Sequence, residues 1–221
     1  VVLKEKKAVQ LLLNRFSEKK FQKNFSAAID SVFKCKGKVV VSGVGKSGIV
    51  AQKIVATFNS TGTHSVFLHS ADSIHGDLGI VEDDDVVILI SKSGESDEIK
   101  NLVPYLKNLK TKIILISGNH KSTLAKSADI VIDASVKEEA CPHNLAPTSS
   151  STVTLILGDA LAVALLQKRG FTKEDFAFLH PGGLLGRKLN LKVEDIIVKG
   201  DDVPVVNKNS KLKDVIYQIS S

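Results

Sequence analysis

The sequence predicts an α/β fold, a three-layer αβα sandwich built around a parallel sheet of five strands. Five short β-branched runs recur between residues 38 and 134. Segments with helical periodicity separate these runs, which is the alternation typical of parallel sheets. Each run is continuously apolar rather than alternating, and this indicates strands covered by helices on both faces.

The elements follow one another without an internal repeat. Apolar residues three and four apart between Val9 and Val32 predict an amphipathic helical lead-in, in one or two pieces. The predicted strands are residues 38–43, 64–69, 84–91, 111–118 and 128–134. The predicted helices are residues 47–59, 96–109, 122–126, 151–169 and 173–179. We assign residues 1–192 to one domain, and residues 193–221 to a tail that reads strand, turn, strand, helix.

The composition favours a soluble globular protein that binds a small anion. The chain has 221 residues, of which 43% are hydrophobic, and a formal net charge of +6. A nucleic-acid partner is disfavoured because the lysines are scattered and aromatic residues are few. Cys35 and Cys141 do not form a disulfide framework, and no Cys/His cluster has zinc spacing. The start lacks a secretory signal pattern and the apolar stretch 153–166 is short for a membrane span, so we expect a cytoplasmic protein without a membrane partner.

The loop after the first strand, GVGKSG, matches parts of two nucleotide-binding patterns. A P-loop would need a glycine where Val40 stands, inside the strand. A dinucleotide site would need an acid at the end of the second strand, where the sequence is Leu68-His69-Ser70. What remains is a glycine-rich turn that brings Lys46 and backbone N–H groups to the carboxyl edge of the sheet. It suits an anion, or it is a tight turn with a solvated lysine.

The loop after the third strand, SKSGES, favours the anion. Ser91, Ser93 and Ser96 offer hydroxyl groups at the start of a helix, and Gly94 lets the backbone approach closely. A single serine would be an ordinary N-cap, whereas three around a glycine on a neighbouring strand end favour a phosphate cradle. Further hydroxyl groups, between Thr148 and Ser151, stand at the start of a later helix.

Five segments together resemble the D-arabinose 5-phosphate isomerases, which are sugar isomerase (SIS) domain enzymes. They are SGVGKSGIVAQKIVATFNSTGT, HSADSIHGDLGIV, ISKSGESDEI, EACPHNLAPTSSSTVTLILGDALAVAL and DFAFLHPGGLLGRKL. The resemblance runs in order from about Lys38 to Leu189. It implies a flavodoxin-like sheet and a homotetramer whose sites are shared between subunits. The tail from Val193 resembles the first part of a CBS module.

The resemblance also implies a reaction, the interconversion of D-ribulose 5-phosphate and D-arabinose 5-phosphate through an enediol. The product would feed Kdo for lipopolysaccharide or capsule. Such a reaction needs a base, a group that stabilises an oxyanion, and no redox cofactor. We expect no cofactor and no metal. Two alternatives remain open, a sugar-phosphate sensor without catalysis and an isomerase of another phosphosugar.

The family's catalytic residues fall on Lys46, Glu98, Glu139 and His180. We predict that Lys46 neutralises the phosphate or the oxyanion, and that Glu139 is the preferred base. Glu98 would orient Lys46 or serve as the alternate base, and His180 would open the sugar ring or carry protons. Substrate contacts are predicted at Gly45, Ser47, His75, Ser91, Ser93, Gly94, Glu95, Ser96 and Thr148.

One residue departs from the family pattern. Lys92 stands where these isomerases usually have Asn, beside the predicted phosphate cradle. The added charge suits an anion larger than the substrate, and a nucleotide sugar made later in the pathway is a candidate inhibitor.

Overall fold

The computed structural model describes residues 1–182, 186, 191–200 and 203–220; of Asp195, Ile219 and Ser220 it describes the backbone alone. The chain divides into two compact units, Val1–Phe176 and Ala177–Ser221. This division differs from the predicted boundary after residue 192, and the CBS-like nature of the tail stays a prediction. The stretch HPGGLLGRKL, which contributed to the resemblance, falls largely outside the described residues.

The first unit contains the predicted five-stranded sheet. The strands are β1 (Val39–Gly43), β2 (Ser65–His69), β3 (Val86–Ile90), β4 (Lys112–Ser117) and β5 (Ile130–Asp133). Their order across the sheet is β2-β1-β3-β4-β5, and every pair is parallel. The carboxyl ends of all five strands therefore meet at one edge, with β1 and β3 side by side.

Helices cover both faces, as the continuous apolar runs predicted. The helices are α1 (Val2–Arg15), α2 (Lys19–Phe33), α3 (Lys46–Ser60), α4 (Ser70–Ser73), α5 (Asp97–Asn108), α6 (Thr123–Ser127), α7 (Ser149–Arg169) and α8 (Lys173–Leu179). Successive strand residues point to opposite faces. Val39 and Val41 pack with α1, α2, α3 and α7, whereas Val40 packs with α5 and α6. The predicted three-layer fold is confirmed.

The observed bounds lie within two residues of the predicted ones for all five strands and the five predicted helices. The lead-in forms two helices, joined where the rings of Phe16, Phe21 and Phe25 pack together. Sequence patterns did not predict α4 or the 3-10 helix Asp77–Ile80. Both are single turns, too short to show helical periodicity.

Helix α7 is longer than the apolar stretch seen in the sequence. Its 21 residues make it long and apolar enough to cross a membrane by length and composition alone. Half of its most apolar 18-residue stretch is buried inside the structure. It packs against α3, where Gly158 leaves room for the side chain of Ile54. Asp159 on α7 forms an ion pair with Lys53 on α3. These contacts are those of a core helix.

The described part of the tail contains a 3-10 helix (Val193–Asp195) and helix α9 (Leu212–Ser220), and no strand within residues 193–200 and 203–220. The predicted strand-turn-strand reading was therefore wrong for those residues. A strand needs a neighbour to satisfy its backbone N–H and C=O groups. The two short apolar runs of the tail do not supply that neighbour to each other.

Candidate active site

The loop between β1 and α3 is shaped by three glycines. Gly45 has a φ of 57°, in the left-handed region. A Cβ atom on Gly43 would lie 2.9 Å from the backbone of Ser47, and one on Gly48 would lie 2.9 Å from the Gly43 carbonyl oxygen. The glycines thus allow strand and helix to approach closely. This explains the glycine pattern without a nucleotide.

Two of the backbone N–H groups in the same loop are already hydrogen-bonded within the loop. The N–H groups of Ser47 and Gly48 both donate to the carbonyl oxygen of Val44, at 3.1 and 3.3 Å. The side chain of Lys46 is exposed at the first position of α3. The cation therefore remains available at the sheet edge, while two of the N–H groups are already engaged.

The hydroxyl groups of the loop after β3 hold that loop together. The Oγ atoms of Ser91 and Ser96 lie 2.9 Å apart, and Ser91 Oγ accepts from Gly94 N at 3.1 Å. Ser93 Oγ accepts from Glu95 N at 3.2 Å, and the Ser93 side chain is exposed. Ser93 keeps its O–H for a ligand, and so does whichever of Ser91 and Ser96 accepts in their mutual bond, so the loop offers two hydroxyl donors.

Glu95 has a place in the structure apart from any ligand. Its Oε1 atom accepts from Thr123 N at 2.7 Å, at the first residue of α6, and its Oε2 atom lies 3.8 Å from Lys100 Nζ. The Thr123 N–H lowers the pKa of Glu95 below its usual value. Glu95 therefore connects the β3 loop to α6, and its predicted contact with substrate stays a prediction.

Glu139 is a buried acid at this edge, and both of its carboxylate oxygens accept hydrogen bonds. Its side chain is fully buried. Oε2 accepts from Thr148 N at 2.9 Å, Thr148 Oγ1 at 3.1 Å and Ser150 N at 3.1 Å. Oε1 accepts from Ser150 Oγ at 2.5 Å and lies 2.6 Å from Lys92 Nζ. The carboxylate thus binds the first turn of α7, where a negative charge is favoured.

These contacts change what Glu139 can do. Burial alone would raise its pKa, but Lys92, the Ser150 hydroxyl and the N–H groups of Thr148 and Ser150 together lower it to about 2. A general base works best with a pKa near the working pH. The geometry therefore disfavours Glu139 as the base in this structure, against the preference drawn from the sequence.

The depressed pKa of Glu139 predicts how stability depends on pH. The folded pKa of about 2 lies below the unfolded value of 4.5, so ionisation stabilises the fold above pH 4.5. That contribution, of the order of 3 kcal/mol, is lost as the pH falls from 4.5 to 2. The free energies of unfolding of wild type and Glu139→Gln, measured with urea at each pH, should approach each other as the pH falls from 4.5 to 2. A constant difference between them would contradict the prediction.

The other predicted catalytic residues are less constrained. Lys46, Glu98 and His75 are exposed. Among the described residues neither Lys46 nor Glu98 forms an ion pair, so the predicted orientation of Lys46 by Glu98 is absent here. His180 belongs to the second unit, and its membership of the site stays a prediction. Within that unit Gly186 lies directly against the His180 carbonyl group.

The structure adds two residues that were not among the predicted site residues. Ser150 donates twice to Glu139, and Lys92 forms its ion pair. The run of hydroxyl residues at the start of α7 and the unusual lysine in SKSGES were the available signals. Their meeting at Glu139 depends on the folded loop, because Glu139 and Lys92 lie far apart in sequence.

A small cleft opens beside this cluster. Its lining combines residues from three elements: Ser47, Val50, Lys92, Pro147, Ser150, Ser151 and Thr154. Its volume of about 30 Å³ holds a water molecule and not a sugar phosphate. Among the described residues no group of three or more His, Cys, Asp or Glu side chains could hold a metal ion.

The two glycines with positive φ in these loops provide a matched test. Gly94 has a φ of 67°, and a Cβ atom there would overlap the hydroxyl group of Ser122. Gly45 has a φ of 57° with nothing within 4 Å of a Cβ atom. We expect Gly94→Ala to cost about 3 kcal/mol of unfolding free energy, from backbone strain plus overlap, and Gly45→Ala about 2 kcal/mol from strain alone. Equal losses in urea unfolding would show that the overlap is relieved without cost.

A family model described as SIS domain matches residues 32–164. The chain belongs to the SIS domain family. The match covers β1 to β5 and most of α7, and thus the loops that carry Lys46, Lys92 and Glu139. The SIS fold predicted from the motifs is confirmed.

The chain is also similar to individual arabinose 5-phosphate isomerases and to solved structures. The chain is 55% identical over 197 residues to arabinose 5-phosphate isomerase KdsD of Shigella flexneri, covering 89% of this chain and 60% of that protein. It is 51% identical over 216 residues to the KdsD protein of Pseudomonas aeruginosa, covering 98% of this chain and 65% of that protein. A protein of E. coli CFT073, solved in complex with arabinose 5-phosphate, superposes with a TM-score of 0.76 at 46% identity, covering 81% of this chain and 93% of that one.

These matches confirm the resemblance to the arabinose 5-phosphate isomerases. The chain spans about two thirds or less of the length of these KdsD relatives. The activity of the whole relatives is therefore a proposal for this chain.

Proposed function

We propose that this SIS domain is an aldose–ketose isomerase that interconverts D-ribulose 5-phosphate and D-arabinose 5-phosphate. The observation that carries the proposal is the 46% identity to a chain solved in complex with arabinose 5-phosphate, of which 93% is covered. The 55% identity to a protein named arabinose 5-phosphate isomerase supports it. The exposed cation of Lys46 and the hydroxyl groups of the β3 loop supply the donors that a phosphosugar needs.

The reaction moves a proton between C1 and C2. A base removes a proton from C1 of the ketose, and the C2 carbonyl oxygen becomes an enediolate oxygen. A proton then passes from O1 to O2, and the base, whose proton exchanges with water, delivers a proton to C2 of the aldose. We assign stabilisation of that oxygen, or of the phosphate, to Lys46. Glu98 is the better candidate for the base, because its carboxylate is exposed whereas that of Glu139 is saturated with donors. His180 is proposed to open the ring of the aldose.

The site is proposed to be completed by further copies of the chain, in a homotetramer. A cleft of about 30 Å³ is too small for a pentose phosphate. Large apolar side chains are exposed at Ile49, Ile74 and Ile80, which lie on or next to the segments that follow β1 and β2. Such side chains are typical of an interface. His75, which stands beside Ile74, would then meet substrate across that interface.

The setting of the reaction is also a proposal. The enzyme would act in the cytoplasm and supply D-arabinose 5-phosphate for Kdo in lipopolysaccharide or capsule. A nucleotide sugar from later in the pathway would bind beside Lys92 as an inhibitor. An absence of thermal stabilisation by such nucleotide sugars would remove that part of the proposal.

The test is a panel of substrates. Purified protein in EDTA would receive D-ribulose 5-phosphate, a hexulose 6-phosphate or an amino-hexose 6-phosphate, and products would be separated chromatographically. We expect conversion of the pentulose phosphate alone. Conversion of a hexose phosphate instead would reassign the substrate, and binding without conversion of any sugar phosphate would make the protein a sensor.

A further inference from the structure

The ion pair between Lys92 and Glu139 joins two very different environments. The Glu139 side chain is fully buried, whereas the Lys92 side chain is 45% exposed. Lys92 lines the cleft, and Glu139 does not. The ammonium group therefore stands between the carboxylate and the cleft. An anion at the mouth of the cleft meets Lys92 before it meets Glu139.

The backbone of Lys92 is fixed while its side chain is long. Its carbonyl oxygen accepts from Gly118 N at 3.0 Å and from Ser117 Oγ at 3.4 Å, so β4 holds the loop in place. The side chain has four rotatable carbons and three N–H donors. It can turn toward the cleft without moving the loop. Ser93, exposed one residue further on, offers a hydroxyl group on the same rim.

Glu139 keeps its neutral donors when Lys92 turns away. The four bonds from Thr148 and Ser150 come from the start of α7 and do not involve the lysine. Lys92, from the β3 loop, is the charged partner of the carboxylate within the described first unit. The adjoining Glu138 pairs instead with Lys4 of α1 at 2.7 Å. The neighbouring titratable groups of the same loop are Lys137, Cys141 and His143, and Lys46 lies at the same sheet edge.

We propose that Lys92 is a positioning residue shared between Glu139 and the anionic ligand, so that ligand binding releases the carboxylate from its ion pair. The inference rests on the proposed function for the ligand's identity as a sugar phosphate. In the free chain the ammonium group keeps Glu139 ionised and inert. With the ligand bound, a buried carboxylate that has lost its cation gains affinity for a proton. Binding of the anion and proton acceptance by Glu139 are then coupled.

The first test does not need turnover. Protein carrying ¹³C at its glutamate carboxyl groups would be titrated by NMR with and without inorganic phosphate, with the Glu139 signal identified from Glu139→Gln. We expect the Glu139 midpoint to rise in Lys92→Met, to stay low in Lys92→Arg, and to rise in wild type when phosphate is added. An unchanged midpoint in Lys92→Met, or in wild type with phosphate, would overturn the proposal.

The second test uses a matched lysine. Lys53 is also 45% exposed and pairs with a carboxylate, Asp159, that is itself 43% exposed. We expect Lys92→Met to raise the KM for D-ribulose 5-phosphate about tenfold, with Lys53→Met like wild type. Wild-type kinetics in Lys92→Met would contradict the inference. No turnover in wild type would end the proposed function, while the NMR titration would still decide the role of Lys92.

Discussion

Replacing Glu139 by Ala is expected to lower the free energy of unfolding by about 4 kcal/mol, the largest effect on stability that we predict for one side chain. The substitution removes the acceptor of four hydrogen bonds from Thr148 and Ser150 and breaks the ion pair with Lys92. Losing one partner of a buried pair costs about 3–5 kcal/mol, because the remaining polar groups are left without partners. Urea unfolding monitored by circular dichroism would measure the change.

The adjoining residue is the matched control. Glu138 is also a paired glutamate of the same loop, but its side chain is 51% exposed and its partner Lys4 is 39% exposed. Exposed pairs contribute less than about 1 kcal/mol, so Glu138→Ala should change stability little. If both substitutions cost the same, then the buried carboxylate does not hold the start of α7.

Replacing Lys46 by Met is expected to lower kcat/KM for D-ribulose 5-phosphate by about 10²–10³-fold with little change in stability. Lys46 is exposed and forms no ion pair among the described residues, so folding does not depend on its charge. Removing one group that stabilises a developing oxyanion typically costs two to three orders of magnitude in rate. Steady-state kinetics and thermal unfolding on the same preparations would separate the two effects.

Lys19 provides the comparison for Lys46. It is likewise exposed and is the first residue of a helix, α2. Lys19→Met should leave kcat/KM within about twofold of wild type, because no strand of the sheet ends at its helix. A comparable loss in both variants would point to a general effect of surface charge on the capture of an anion.

The fold could be predicted from the sequence because its signals are local. Continuous runs such as Val39–Gly43 and Val86–Ile90 indicate strands covered on both faces, and each is followed by a turn and a helix. The edge at which the loops meet follows from the parallel direction of the strands. A single-turn helix such as Ser70–Ser73 is too short to show helical periodicity, so the sequence did not predict it.

The sequence predicts which residues form the candidate site, and that stays a prediction; it does not predict the contacts those residues make. The residue types at Lys46 and Ser91 indicated an anion site, and the resemblance added Glu139 and the sugar phosphate. No local pattern shows that Glu139 is buried, or that Lys92 is within 2.6 Å of it. The pKa of the carboxylate depends on those distances, so a residue that was predicted as the preferred base is, in this structure, an acceptor that holds the start of α7.

The measurement that tests the central claim most directly is solvent exchange during turnover. The protein would be incubated with D-ribulose 5-phosphate and EDTA in deuterated water, and D-arabinose 5-phosphate would be followed by NMR, with Glu98→Gln and Glu139→Gln alongside wild type. We predict turnover with deuterium at C2 of the product, lost in Glu98→Gln and reduced but present in Glu139→Gln. No D-arabinose 5-phosphate from the wild-type protein, or product formed without deuterium at carbon, would contradict an enediol isomerase.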